Sequence, residues 1–200
     1  MLTDLPNVLT LSRIAAIPLL VGLAALRTPT GDLLACVVFS LAGITDYFDG
    51  KIARGRAQTS DLGRMLDPIA DKLLVGASLM ALAGLGRLSP WGLYPAIVIL
   101  LREILVSGLR EYLAGLRIGL PVTELAKWKT GVQMGALGTL LAGDETGALL
   151  RLSFLPVQDI GEIMLWAAAG LTLWTGWDYL RAGLHHAATP ADVGRRSQSP

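Results

Sequence analysis

The sequence predicts an all-α integral membrane protein with six transmembrane helices. Three observations carry this. Hydrophobic residues make up 52% of the 200 positions against 16% charged, with a mean hydropathy of +0.54, beyond what a soluble core needs. Long apolar runs recur six times, separated by Gly, Pro and charge. Lys and Arg also gather on alternate connections rather than spreading evenly.

The first span covers 8–26. Arg13 interrupts it, no basic stretch precedes it, and Arg27-Thr28-Pro29 follows in place of a small-residue cleavage site, so it reads as a retained helix rather than a signal peptide. Pro29-Thr30-Gly31 reads as a turn into the second span, 32–54. The third, 61–86, opens on Ser60 and Asp61 as caps. Its Pro68 removes the hydrogen bond to the carbonyl of Arg64 and bends the helix. A turn at 86–90 leads to the fourth span, 91–113, and the fifth runs over 122–143. After a turn at 143–147, residues 147–157 carry Leu149, Leu150, Leu152, Phe154 and Leu155, the pattern of a short interfacial helix. The sixth span covers 158–181. The membrane domain is thus placed at 1–186, and 187–200, which lacks periodicity, reads as a disordered cytoplasmic tail.

With the N-terminus inside, eleven Lys and Arg face the cytoplasm, among them Lys51, Arg54, Arg110, Lys127 and Lys129. Only Arg27, Arg87 and Arg151 fall on the outer loops, so both termini are assigned to the cytoplasm. Trp91 and Tyr94 at one face, and Tyr112, Trp128, Trp177 and Tyr179 at the other, fit interfacial belts. Small residues let membrane helices approach closely, and Gly131-x3-Gly135 is a candidate contact among the 23 glycines. Cys36 is the single cysteine, which excludes an intramolecular disulfide, and no Cys/His metal spacing occurs. His185 and His186 read as surface residues, and no basic, aromatic-interleaved patch points to nucleic acid.

The chemistry is concentrated in Asp46-x2-Asp49-Gly50-x2-Ala53-Arg54-x8-Gly63-x3-Asp67-x3-Asp71, eight fixed positions over 26 residues. Asp46 and Asp49 are three apart and Asp67 and Asp71 four apart, so each pair projects from one side of its helix. Four carboxylates gathered at a membrane surface repel one another unless cations lie between them, and a pair of divalent ions is the simplest partner. Gly50 and Ala53 leave the helix almost bare beside the carboxylates, room for a flat ligand, and Arg54 is placed to hold a phosphate oxygen. A calcium-binding EF-hand is excluded, because its Asp-x-Asp-x-Asp-Gly loop is absent. Elsewhere, Arg110, Lys127 and Lys129 lie near the cytoplasmic ends of the fourth and fifth spans, either as acceptor-phosphate ligands or as ordinary positive-inside anchors. Arg102 and Glu103, deeper in the fourth span, read as an intramembrane ion pair. Lys72 reads as snorkelling or pairing with a nearby carboxylate.

The eight-position motif resembles the signature of the CDP-alcohol phosphotransferases, membrane enzymes that move a phosphatidyl or similar group from a CDP-activated donor to an alcohol. Leu5-Pro6-Asn7-x2-Thr10-x2-Arg13, Arg102-Glu103-x5-Leu109-Arg110 and Lys127-x-Lys129-Thr130-x2-Gln133-Met134 resemble the bacterial phosphatidylglycerophosphate synthase branch. The resemblance implies six helices, a homodimer, and two Mg²⁺ ions, Mn²⁺ being the other candidate, at a site open to the cytoplasm. It implies that Asp46, Asp49 and Asp67 hold one ion and Asp46, Asp67 and Asp71 the other, with Asp71 also the candidate base. Gly50, Ala53, Arg54 and Gly63 would meet the CDP donor, with Asn7 and Thr10 as helpers. The implied partners are CDP-diacylglycerol, sn-glycerol 3-phosphate and the lipid bilayer of a bacterial cytoplasmic membrane, with CMP released. Rivals within the family are the cardiolipin, phosphatidylserine and inositol-phosphate types. Rivals outside it are a divalent-cation transporter, which calls for carboxylates near the bilayer midplane, and an aromatic prenyltransferase, which calls for more spans and a longer chain.

Overall fold

A computed structural model describes residues 5–56, 61–115, 124–151 and 154–188, with side chains for all of these except 5–7, 46–56, 61–65, 67, 124, 178 and 182–188. The described chain forms six helices: α1 (Leu5–Ala25), α2 (Pro29–Arg56), α3 (Asp61–Gly84), α4 (Leu93–Gly115), α5 (Glu124–Leu149) and α6 (Val157–Ala188). Each corresponds to one predicted span. Of the expected caps Ser60 lies outside the described residues, as does the tail from 189, while Asp61 is the first residue of α3.

Local chemistry explains the ends. α1 closes on Arg27 in the left-handed region (φ 51°), and the Thr28 hydroxyl then accepts the Gly31 N–H at 3.1 Å. Thr28 therefore caps α2, and Pro29, which has no N–H to leave unpaired, is its first residue. The expected turn at Pro29-Thr30-Gly31 is thus the first turn of a helix, and a Cβ on Gly31 would sit 2.7 Å from the Leu23 carbonyl. At the end of α3, Gly86 (φ 70°) lets the Arg87 N–H reach back to the Leu82 carbonyl at 2.8 Å, a Schellman closure. α3 continues unbroken through Pro68, whose carbonyl also accepts Lys72 Nζ at 2.8 Å, so of its two expected roles Lys72 does not show the carboxylate pair among the described residues but a bond to backbone one turn back.

α5 differs from expectation. It breaks at Gly143 (φ 66°, ψ 174°) but resumes as helix to Leu149, so helical turns occupy 144–149 and not the predicted 147–157. Leu150, Phe154 and Leu155, with Leu149, still form an exposed apolar strip at that end.

α5 packs most extensively on α6, α1 lies against α2 and α3, α2 also meets α5, and α4 meets α6. The shared core holds Phe39, Leu82, Ile99, Leu137, Leu140 and Leu165, all essentially without exposure. Gly161 sets the spacing of α5 and α6, since a Cβ there would lie 2.7 Å from Leu140 Cγ. Gly135 meets Met164 of α6, whereas Gly131 has nothing within 4 Å, so the two-glycine contact is made by one glycine. Among the described residues, Val8–Ala25 is long and apolar enough to cross a membrane, and Pro29–Thr45 is a shorter apolar helix.

Candidate active site

The alternation of helix directions brings six helix ends to one pole: the start of α1, the ends of α2 and α4, the starts of α3 and α5, and the last part of α6. There the bundle opens into a cavity of about 790 Å³, reached by Gly43 of α2, Asp71 of α3, Arg110 of α4, Lys127 and Lys129 of α5 and Tyr179 of α6. A neighbouring hollow of about 630 Å³ between α3 and α4 shares Lys72, Arg102, Glu103 and Arg110 with it.

Asp71 is the one motif carboxylate with a described side chain. It is half-exposed, and its Oδ1 accepts Arg13 Nη1 at 2.9 Å. Arg13 is 2% exposed, deep in the apolar α1, with the buried Thr10 one turn before it. A guanidinium in that position costs several kcal/mol unless a carboxylate meets it. Arg13 enters the sequence analysis as an interruption of an apolar run and as the last position of the first branch motif, and its partner follows from the interruption, because a lone Arg inside a membrane helix needs a counter-charge.

Asp46 and Asp49 lie within helical α2, and Asp67 precedes Asp71 in α3, but their side chains are outside the described set, as are those of Asn7, Gly50, Ala53, Arg54 and Gly63. The backbone still tests whether a divalent ion suits this place. Ala42 and Gly43 bring α2 to the cavity and Pro68 and Asp71 bring α3, so Asp46 and Asp67 each stand within one turn of a residue that lines it. Aspartate is the residue type whose oxygens hard cations require, and the backbone brings Asp46 of α2 and Asp67 of α3 near the same opening, a chemistry that fits a divalent ion.

The three candidate acceptor residues, Arg110, Lys127 and Lys129, line the same cavity as Asp71. They are not equivalent. Arg110 and Lys127 are exposed, while Lys129 is buried and donates to Glu103 Oε1. Glu103 Oε1 also lies 3.6 Å from Arg102 Nη1, so the expected Arg102–Glu103 pair is present and reaches further, into α5. Arg102 is fixed in turn by α6: its Nε donates to the Thr172 carbonyl at 3.1 Å, its Nη2 to Thr175 Oγ1 at 2.9 Å, and its guanidinium lies 5.9 Å from the Tyr179 ring centroid. Gly176 leaves the room, since a Cβ there would come within 3.2 Å of Arg102 Cγ. Tyr179, expected in an interfacial belt, is instead 7% exposed and part of the cavity wall. Trp128 and Trp177 remain exposed, as a belt requires.

Six cations line the cavity among the described side chains, Arg13, Lys72, Arg102, Arg110, Lys127 and Lys129, against the carboxylates of Asp71 and Glu103. Guanidinium and ammonium groups gathered beside an opening suit a phosphate-bearing ligand.

Residues 3–174 match the sequence profile of the family described as CDP-alcohol phosphatidyltransferase. A CDP-diacylglycerol–glycerol-3-phosphate 3-phosphatidyltransferase of Rickettsia bellii is 45% identical over 179 residues, covering 90% of this chain and 94% of the relative. An enzyme of the same name from Pectobacterium atrosepticum is 39% identical over 189 residues, covering 94% and 98%. A CMP-forming cardiolipin synthase of Oryza sativa is 38% identical over 195 residues, with 90% of this chain but 57% of the relative covered.

Proposed function

This chain belongs to the CDP-alcohol phosphatidyltransferase family, and from that premise we propose that it transfers the phosphatidyl group of CDP-diacylglycerol to sn-glycerol 3-phosphate, giving phosphatidylglycerophosphate and CMP. The observation that carries the choice of acceptor is that Asp71 shares one cavity with Arg110, Lys127 and Lys129. A carboxylate able to take a hydroxyl proton thus stands across from cations able to hold a phosphate, which are the two ends of a phosphorylated alcohol.

In the proposed reaction Asp71 takes the proton of the acceptor's primary hydroxyl. The hydroxyl oxygen attacks the phosphorus that bears the diacylglycerol, a new P–O bond forms in line, and the P–O bond to CMP breaks with its electron pair leaving on CMP. The single displacement needs no covalent enzyme intermediate. Two Mg²⁺ ions, or Mn²⁺ in their place, held by Asp46, Asp49, Asp67 and Asp71 would neutralise the diphosphate and the leaving phosphate. Gly50, Ala53 and Gly63 keep the donor side free of bulk for the cytidine, Arg54 binds its phosphate, and Asn7 and Thr10 support it. Arg110 and Lys127 meet the acceptor phosphate at the mouth, and Lys129, set by Glu103, meets it deeper.

All six helices cross the bilayer in this reading, with the cavity and both termini on the cytoplasmic side of a bacterial inner membrane, and the enzyme works as a homodimer. CMP release in detergent, measured with CDP-diacylglycerol and a panel of acceptors, tests it. Release that depends on sn-glycerol 3-phosphate supports the reading. Release that depends on phosphatidylglycerol instead would assign the cardiolipin type, which the Oryza sativa relative keeps in view.

A further inference from the structure

Gln133 lies one turn beyond Lys129 on α5, is 3% exposed, and lines the cavity that holds Asp71 and the acceptor cations. Its Oε1 is buried with no hydrogen-bond partner. A buried carbonyl oxygen left unsatisfied is destabilising, and an apolar side chain of the same size, such as that of Met134 beside it, would avoid the cost. The oxygen therefore points to a donor that arrives with a ligand.

The chemistry of that ligand is restricted. A phosphate oxygen bound among cations has no proton to give a carbonyl, so the acceptor's phosphate does not satisfy Gln133. The nearest ammonium along the helix, that of Lys129, is engaged by Glu103. A hydroxyl remains. Four residues of helix separate Gln133 from Lys129 by about 6 Å along the axis, roughly the reach of a three-carbon polyol phosphate. Such an acceptor brings one hydroxyl to react near Asp71, a phosphate for the cations, and a second hydroxyl that takes no part in the displacement.

We propose that Gln133 is a specificity-determining residue that accepts a hydrogen bond from the non-reacting hydroxyl of the acceptor. The assignment rests on the proposed reading of the acceptor as a phosphorylated polyol. A site that presents a buried acceptor atom rejects an analogue lacking the matching hydroxyl, because the atom is then left unpaired.

The test compares sn-glycerol 3-phosphate with 3-hydroxypropyl phosphate, which lacks the middle hydroxyl, by kcat/KM for CMP release. The wild-type enzyme is expected to favour the natural polyol by about ten-fold or more, equivalent to about 1.4 kcal/mol. Gln133→Met removes the accepting oxygen at similar volume and should lower activity on glycerol 3-phosphate to the level of the deoxy analogue, whose own turnover is unchanged. Gln133→Glu keeps an accepting oxygen and should retain the ratio even where the added charge raises both acceptor KM values. A wild-type enzyme that does not distinguish the two acceptors, a Gln133→Met variant that loses both equally, or a Gln133→Glu variant that loses the ratio overturns the assignment of Gln133 alone. A wild-type enzyme that releases no CMP with glycerol 3-phosphate overturns the acceptor reading, and this assignment with it.

Discussion

A carboxylate bonded to a buried guanidinium serves two ends at once, and Asp71 with Arg13 shows the trade. The pair stabilises a cation that α1 could not otherwise bury, and it holds the carboxylate at the cavity wall. Replacing Asp71 by Asn keeps size but removes the charge that Arg13 needs and the oxygen proposed to take the proton. We expect near-complete loss of CMP release for Asp71→Asn. Asp67→Asn, which leaves the Arg13–Asp71 pair intact, should lose turnover together with the response to added Mg²⁺. Wild-type rate and wild-type Mg²⁺ dependence in purified Asp67→Asn would refute the metal assignment. Lys129 poses a second residue-scale question, because Glu103 already holds it. If it also holds the acceptor phosphate, Lys129→Ala removes charge-assisted bonds of roughly 1.5–3 kcal/mol, about ten- to a hundred-fold in acceptor affinity. The donor KM should barely move, and an equal rise for donor and acceptor would take Lys129 out of the acceptor site. The aspartate spacing made Asp71 legible from sequence alone. Arg13 and Gln133 were legible only as motif positions and Tyr179 only as a belt residue, since the role of each comes from a contact across the bundle: Arg13 from a carboxylate 58 residues away, Tyr179 from the guanidinium above its ring, and Gln133 from the cavity it faces.

At the scale of elements, glycine sorts into positions that set helix spacing and positions that do not. Gly161 touches Leu140, with a virtual Cβ 2.7 Å from Cγ and 3.3 Å from the Leu140 backbone nitrogen, so α5 and α6 must separate to admit a methyl group. Gly170 lies on the same helix with nothing within 4 Å. Gly161→Ala should therefore lower the detergent Tm, by an overpacking cost of about 1–3 kcal/mol, whereas Gly170→Ala should leave it unchanged or raise it. Equal Tm values for the two variants would contradict the close α5–α6 packing. The existence and order of all six helices were legible, because apolar runs bounded by Gly and Pro mark membrane-length helices without reference to their neighbours. Their ends were less so. Pro29 reads equally as a turn or as a first helical residue, and the Thr28 hydroxyl decides it. Gly143 reads as a terminus, yet the helix resumes beyond it.

The whole molecule is asymmetric along its axis. One pole is hollow; the other is tied off. At the tied pole Arg87 reaches Asp32 of α2 at 2.5 Å and the Leu141 carbonyl of α5 at 3.1 Å, and its own carbonyl accepts Gln158 of α6. Glu162 of α6 accepts both the N–H and the hydroxyl of Ser89 at 2.6 Å, joining the start of α4 to the same network. A bundle stitched across one end and open at the other admits substrate from one side only, which suits an enzyme facing one compartment better than a transporter that must open to two. The proposed orientation, argued from the Lys and Arg distribution, has the open pole face the cytoplasm, and a labelling experiment checks it. In a Cys36→Ala background, Leu150→Cys lies on the exposed strip of the tied pole and Gly115→Cys at the exposed end of α4 beside the hollow one. In intact cells a membrane-impermeant thiol reagent should label Leu150→Cys and spare Gly115→Cys until the membrane is permeabilised. Labelling of both positions in intact cells, or of Gly115→Cys alone, would reverse or break the six-span topology and with it the cytoplasmic placement of the cavity.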